Sequence, residues 1–395
     1  MEKIADGHPL GDDKLIEILL HLPVRSLVRF KCVSISWYNL IRSPTFCNKH
    51  FLTSRRNDSV LLVRRFLRPP EDEDVLSFHD VNSPELEQVA PNLSIPFLKD
   101  IRLRYNRPYF PEGVTLLGPC NGLLCITHAE FLIFCCPTLR EFKRLQPCPY
   151  VSPKGFFDRI IGSGFGCTSM TDFKVVLIRS IWFDDVYDYS TYTLVHLYNS
   201  NTNSWRITND VGTLSFKDLW DYPCSQRFFH GNLHWNAASY DYSSRKAILT
   251  FNLNTETFGQ LEYPDYFKKL HETGICFTII NNCFAIILYK DSKEEPQPLD
   301  IWVMKKYGFG ESWTKQFTVG PYQVVSCILP WKNDEWLFVE SSDGQLATCA
   351  LHTNEFRRLP IYGVEKTMRA MIYKESLISL NQVYINLFNK LLHGW

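Results

Sequence analysis

Residues 249–261 read LTFNLNTETFGQL. Leu249, Phe251 and Leu253 alternate with polar residues, which is the period of a strand with one buried face. A cluster of Asn, Thr and Glu follows, and Phe258 then opens a second apolar segment. Such a polar cluster between two short apolar runs is the mark of a β-hairpin. The same layout recurs in LSFHDVNSPELEQV (76–89), LIFCCPTLREFKRL (132–145), HLYNSNTNSWRI (196–207), WVMKKYGFGESWTKQF (302–317) and TCALHTNEFRRL (348–359). The apolar residue after the turn is Leu86, Phe142, Trp205, Phe258, Trp313 and Phe356 in order, with gaps of 56, 63, 53, 55 and 43 residues.

A repeat near fifty residues is the spacing of Kelch-type propeller blades. One small antiparallel sheet cannot bury both of its faces. Blades stacked around a ring bury them against each other and leave short, protected edges. The expectation is therefore six blades over residues 57–395, with the six marker residues in the cores between blades. AMIYKESLISL (370–380) is expected to close the ring against VLLVRRF (60–66). A multi-layer β-sandwich is the alternative arrangement of the same strands.

Composition narrows the function classes. The 395 residues are 45% hydrophobic and carry no net charge, so neither disorder nor charge-driven nucleic-acid binding is expected. The thirteen cysteines follow no framework spacing and are expected to be reduced thiols of a cytoplasmic protein, with the nucleus also open. MEKIADGHPLGDD (1–13) lacks the apolar core of a signal peptide. FTIINNCFAIILY (277–289) is shorter than the roughly twenty residues a membrane helix needs. No membrane association is expected.

The first fifty residues depart from the strand pattern. In DKLIEILLHL (13–22) the apolar residues Leu15, Ile16, Ile18, Leu19, Leu20 and Leu22 span an arc of roughly 200° on a helical wheel. That is about twice what one core contact covers. Pro23 ends this helix and sits near the start of a second, PVRSLVRFKCV. Ser34 or Ser36 can cap a third helix carrying Trp37, Leu40 and Ile41, and Ser43-Pro44 opens a fourth. The surplus apolar surface packs either on the β-rich remainder or on a helical partner.

The run DDKLIEILLHLPVRSLVRFKCVSISWYNLIRSPTF (12–46) resembles a plant F-box. That resemblance implies a three- to four-helix module over 8–52 that docks to a Skp-type adaptor, and through it to cullin and RING subunits. Carried over by position, the adaptor-binding residues are Leu10, Ile16, Leu19, Leu22, Pro23, Val24, Leu27, Val33 and Trp37. The family usually opens with Leu-Pro, whereas here Gly11 follows Leu10 and Pro9 precedes it. GPCNGLLCI (118–126), NSNTNSWR (199–206), FFHGNLHW (228–235), ILTFNLNTETF (248–258) and IWVMKKYGFGESWTKQF (301–317) resemble the F-box-associated domain of plants. Among such proteins the likeness is to the S-locus F-box family of pollen self-incompatibility. This implies a substrate receptor of an SCF-type ubiquitin ligase, with no catalysis of its own, whose clients are S-locus ribonucleases.

The fold class expected is mainly β, with a small N-terminal α module followed by a six-bladed β-propeller-like domain. Client-binding residues are sought in DDVYDYSTY (184–192), at Asp184, Asp185, Tyr187, Asp188 and Tyr189, and in KDSKEEPQP (290–298). Tyr and Asp suit a basic partner, and a plain solvated loop is the other reading. Residues 1–56 carry a net +4 and the remainder −4, which bears on steering more than on fold. No catalytic, cofactor or metal site is read. His230 and His234 lack a third ligand at a telling spacing. Gly162, Gly164 and Gly166 lack the Lys-Ser/Thr of a phosphate loop and suit a β-turn or tight blade packing. Glu71–Asp74 reads as a solvated loop cluster. A propeller lectin or enzyme with an incidental helical arm is the contrasting class, and an F-box receptor for another plant protein is the nearer one.

Overall fold

The computed structural model describes residues 12–53, 59–95, 114–128, 131–183, 191–208, 216–219, 226–239, 246–269, 274–290 and 295–380. Four helices come first: α1 (Asp12–Leu20), α2 (Val24–Phe30), α3 (Ile35–Arg42) and α4 (Pro44–Thr53). Their boundaries follow from local chemistry. Pro23 stands between α1 and α2. The hydroxyl of Ser34, in extended conformation, accepts from the Trp37 amide at 3.2 Å, and that of Ser43 accepts from the Phe46 amide at 3.2 Å. Each cap satisfies an amide that the first helical turn leaves without a partner.

Six antiparallel sheets follow among the described residues. Blade 1 contains β1 (Ser59–Phe66), β2 (Asp74–Asp80) and β3 (Gln88–Ser94). Blade 2 is β4 (Thr115–Cys120), β5 (Leu123–His128), β6 (Phe131–Cys136) and β7 (Glu141–Arg144). Blade 3 is β8 (Phe156–Cys167), β9 (Phe173–Phe183), β10 (Thr191–Asn199) and β11 (Ser204–Thr208). Blade 4 has β12 (Phe216–Leu219) and β13 (Arg227–Phe229) both on β14 (Asn232–Ser239), then β15 (Lys246–Asn252) and β16 (Phe258–Leu261). Blade 5 is β17 (Gly274–Ile280), β18 (Cys283–Tyr289), β19 (Gln297–Met304) and β20 (Trp313–Tyr322). Blade 6 is β21 (Val324–Trp331), β22 (Trp336–Ser341), β23 (Gln345–Ala350) and β24 (Phe356–Tyr362).

The last strand, β25 (Arg369–Lys374), completes blade 1 by pairing with β1 in the register Leu61↔Ile372 and Val63↔Ala370. The ring is thus closed by the two ends of the β-region, as the sequence pattern predicts. The first strands of neighbouring blades touch one another, so β4, β8, β17, β21 and β25 line the axis.

The hairpin at 249–261 forms as its pattern requires, with Phe251 opposite Phe258 and Leu249 opposite Gln260. The Asn252 carboxamide accepts from the amides of Asn254 and Thr255, both at 2.9 Å. Asn199 does the same for Asn201 and Thr202 in blade 3. This side-chain turn is why Asn recurs at the start of these loops.

Each marker residue packs against the blade before its own. Phe142 joins the core between blades 1 and 2, Phe258 that between 3 and 4, and Phe356 that between 5 and 6. Trp205 and Trp313 also donate their indole N–H across the gap, to the carbonyls of Gln146 and Glu262 at 2.9 Å each. Leu86 closes the circle between blades 6 and 1.

The structure corrects three readings. Cys120 and Cys167 form a disulfide between the ends of β4 and β8, not a pair of reduced thiols, because these two inner strands end side by side. Asp74 is buried and ion-paired with the fully buried Arg64, so the Glu71–Asp74 run is not wholly solvated. Gly162, Gly164 and Gly166 lie within β8 opposite Ile178, Val176 and Lys174, an extended strand and not a turn. At Gly164 and Gly166 a Cβ would come within 3 Å of Leu233, Trp235, Phe228 or Leu253 of blade 4, so tight blade packing is the role of these two.

A candidate adaptor face and the opposite end of the propeller

Successive strands of each blade run antiparallel, so the turns after the first and third strands leave from one end of the ring. The helices sit at that end. Arg25 reaches the Val89 carbonyl at 3.3 Å and the Glu375 carboxylate at 3.5 Å, and Lys374 lies over the Phe51 ring. Leu15, Leu19, Val24, Leu27, Ile41, Phe46 and Cys47 share one core with Leu117, Cys120 and Leu123 of blade 2 and with Leu377, Ile378 and Leu380. Burial here pushes the Cys47 thiol up to about 11, partly offset by the Lys31 and Arg42 charges. Desolvation lowers Lys31, against the nearby Cys47 and Glu141.

The predicted adaptor residues therefore divide. Leu19, Val24 and Leu27 are buried within the chain itself, and Ile16, Leu22 and Trp37 are half-buried. Trp37 packs edge-on to Phe30 at 5.4 Å. Pro23 is exposed, Val33 is 61% exposed, and Leu10 lies outside the described residues. Beside Val33 the structure leaves open Ile18, Val28, Tyr38 and Ile35, the last 81% exposed. Sequence reasoning named none of these four as an adaptor contact, although Ile18 belongs to the over-wide apolar arc of α1, and that surplus was the available signal.

Connections between second and third strands leave from the other end of the ring. Both candidate client loops are of this kind, 184–190 joining β9 to β10 and 290–296 joining β18 to β19. Asp184, Asp185, Tyr187, Asp188 and Tyr189 themselves lie outside the described residues. At the bracketing strand ends, Phe157 stacks on Trp182 and Phe156 meets Phe183 edge-on, with Phe157, Phe183 and Tyr192 exposed. Strands β8 and β9 are 12 and 11 residues long, longer than the inner strands β4, β17 and β21 of blades 2, 5 and 6, which hold 6 to 8.

The flagged histidines are structural. His234 is fully buried in β14, with Nδ1 3.0 Å from the Arg227 carbonyl and Nε2 2.8 Å from the Tyr307 hydroxyl. A carbonyl only accepts, so Nδ1 carries the proton and Nε2 accepts from Tyr307. His230 stacks on Phe229 in the preceding turn. Among the described residues no three His, Cys, Asp or Glu side chains converge as a metal would require.

Helical module and six-bladed ring define an F-box protein with an associated propeller. The F-box domain profile matches residues 12–49, and the F-box associated beta propeller domain profile matches residues 76–386. The chain belongs to the F-box associated beta propeller family. An F-box/kelch-repeat protein of Arabidopsis thaliana is 25% identical over 387 residues, covering 95% of this chain and 97% of the relative. F-box protein CPR1 of the same plant is 25% identical over 323 residues, 78% of this chain and 72% of its own. Among solved structures, an oligogalacturonate lyase from Vibrio parahaemolyticus aligns over 77% of this chain and 79% of its own, with 9% identity and a TM-score of 0.39. That last likeness carries no functional argument.

Proposed function

We propose that the protein is the substrate-recognition subunit of an SCF-type ubiquitin ligase. It binds a Skp-type adaptor, and through it cullin and RING subunits, with the exposed face of its F-box. A protein client sits on the propeller. The observation that carries this reading is the apolar set Ile18, Val28, Val33, Ile35 and Tyr38, left open on a helical module whose own core is already filled. The chain breaks no bond in this role. It holds client and ubiquitin donor together and so raises their effective concentration.

Within this class the clients we propose are non-self S-locus ribonucleases in pollen, in the cytoplasm or nucleus. The support is the sequence likeness of the propeller segments and the acidic, tyrosine-rich run 184–192, whose charge suits a basic client. The client face is then the end of the ring from which 184–190 and 290–296 connect.

A pull-down with a purified Skp-type adaptor tests the receptor reading. Val33→Asp with Ile35→Asp should weaken capture at least tenfold while leaving the circular dichroism spectrum unchanged. Leu22→Glu with Pro23→Ala should also reduce it. Capture that survives both pairs would sink the docking claim. Affinity purification from pollen with mass spectrometry tests the client. Absence from pollen, or no stylar ribonuclease among the partners, removes the S-locus role and leaves the receptor.

A further inference from the structure

The F-box and the last described residues of the chain are more than three hundred positions apart, yet they share one core. After β25 closes the ring, residues 375–380 leave it and pass between α1–α4 and blade 2. All but Glu375 are buried: Ser376, Leu377, Ile378, Ser379 and Leu380 are each at most 8% exposed. Leu377, Ile378 and Leu380 complete the core that contains Leu19, Leu27 and Phe46. The Cys47 sulfur lies 3.9 Å from the Leu377 carbonyl oxygen and 3.4 Å from that of Ile41, and Arg25 pairs with Glu375. Ser376 fits against the hairpin turn of blade 2 so closely that a Cβ on Gly122 would lie 2.1 Å from its own Cβ.

One propeller side chain holds the far end. The Glu141 carboxylate accepts from the Ser379 hydroxyl at 2.9 Å with each oxygen, and from the Leu380 amide at 2.7 Å. Charge-assisted bonds of this kind are about twice as strong as neutral ones. Glu141 also stands near Lys31 at the end of α2, so the same carboxylate faces the helical module.

We propose that residues 375–380 are a strap that fixes the orientation of the F-box on the propeller, with Glu141 as its positioning residue. The F-box is then held at two points, through the chain leading into β1 and through the strap leaving β25. Both attachments begin on blade 1, where the ring closes, and the far end of the strap is held by Glu141 of blade 2. This rests on the receptor reading for its purpose: a fixed F-box sets the direction in which the opposite end of the ring presents a client. Its geometry does not depend on that reading.

Lysine-specific cross-linking with mass spectrometry on the full chain, without adaptor, tests the strap. In the wild type, Lys14, Lys31 and Lys49 should link to a restricted set of propeller lysines. Glu141→Ala with Ser379→Ala, and separately Leu377→Ala with Ile378→Ala, should at least double the number of F-box-to-propeller pairs. The propeller's internal links should stay as they were. In a reconstituted ligase, the same variants should redistribute self-ubiquitination among the chain's lysines more than threefold, with adaptor affinity within twofold of wild type. A role in stability alone would change the amount of folded protein and not that distribution. Link sets and modification patterns unchanged in both variants would overturn the strap. A wild type that binds no adaptor would overturn the receptor reading instead, and the cross-links would still decide the strap.

Discussion

Gly164 in β8 lies directly beneath the indole of Trp235 in β14. A Cβ at Gly164 would stand 2.7 Å from the Trp235 ring and 2.7 Å from a Leu233 methyl, while the Trp235 N–H donates to the Ser163 carbonyl at 2.8 Å. Blade 4 can approach blade 3 this closely only where β8 has no side chain. Gly164→Ala should destabilise the protein by about 1–3 kcal/mol through overpacking. Urea unfolding followed by tryptophan fluorescence would show it. A midpoint unchanged from wild type would mean that the two blades can part without loss.

The buried pair Arg64–Asp74 ties β1 to β2, and Arg64 also donates to the Thr367 carbonyl at 2.6 Å just before β25. Both side chains are almost fully buried. Removing one partner leaves a charge without compensation in the interior, which costs about 3–5 kcal/mol. Asp74→Ala should therefore destabilise strongly. Arg64→Met combined with Asp74→Leu should recover most of the loss, since it removes both charges of the pair. Thermal unfolding of the single and double variants decides between these outcomes.

His234 sets a pH dependence. Burial lowers its pKa to about 4, whereas the unfolded chain titrates near the ordinary histidine value of about 6.5. The folded state thus stays neutral while the unfolded state binds a proton between those values. The contribution is whole above pH 6.5, declines as pH falls towards 4, and declines no further below it. The loss across that window is on the order of 3 kcal/mol for this one group. Desolvation lowers His79, His128 and His196 as well, so their contributions have the same sign. His234→Asn, which keeps a donor for the Arg227 carbonyl, should flatten the stability profile between pH 6.5 and 4. A profile parallel to wild type would assign the dependence elsewhere.

Two apolar positions of the F-box, Leu27 and Ile35, should behave in opposite ways. Leu27 is fully buried and Ile35 is 81% exposed. Leu27→Asp should unfold the module by placing a carboxylate in its core, and adaptor binding would vanish with the helical signal. Ile35→Asp should change stability by no more than about 0.5 kcal/mol, as surface substitutions do, and weaken adaptor capture. Comparing binding with hydrogen exchange in α1–α4 separates the two. Equal protection loss in both variants would place Ile35 in the fold instead of the interface.

Much of this architecture is legible in the sequence. The six marker residues, the Asn-rich turns, a cap at Ser34 or Ser36, the cap at Ser43 and the closing pair of end strands are all patterns set by side-chain periodicity and hydrogen-bonding chemistry within a few residues. The site was legible only in part. A helical wheel shows that α1 has more apolar surface than one contact needs, but not which residues stay open. Leu19, Val24 and Leu27 are consumed by contacts with blade 2 and with Leu377 to Leu380, and the surplus that remains is smaller than the wheel implies. Asp74 looked like one of four solvated acids because its partner Arg64 is on a neighbouring strand.

By itself, then, the sequence determined the helical module, the number of blades and the residues that stack between them, because each depends on short-range periodicity. Tertiary structure alone decided which apolar face is spent inside the chain, that Cys120 meets Cys167, that Gly164 makes room for Trp235, and that the last strand hands a strap to the first helices. Those are encounters between residues tens to hundreds of positions apart. Only the closed ring brings them into contact.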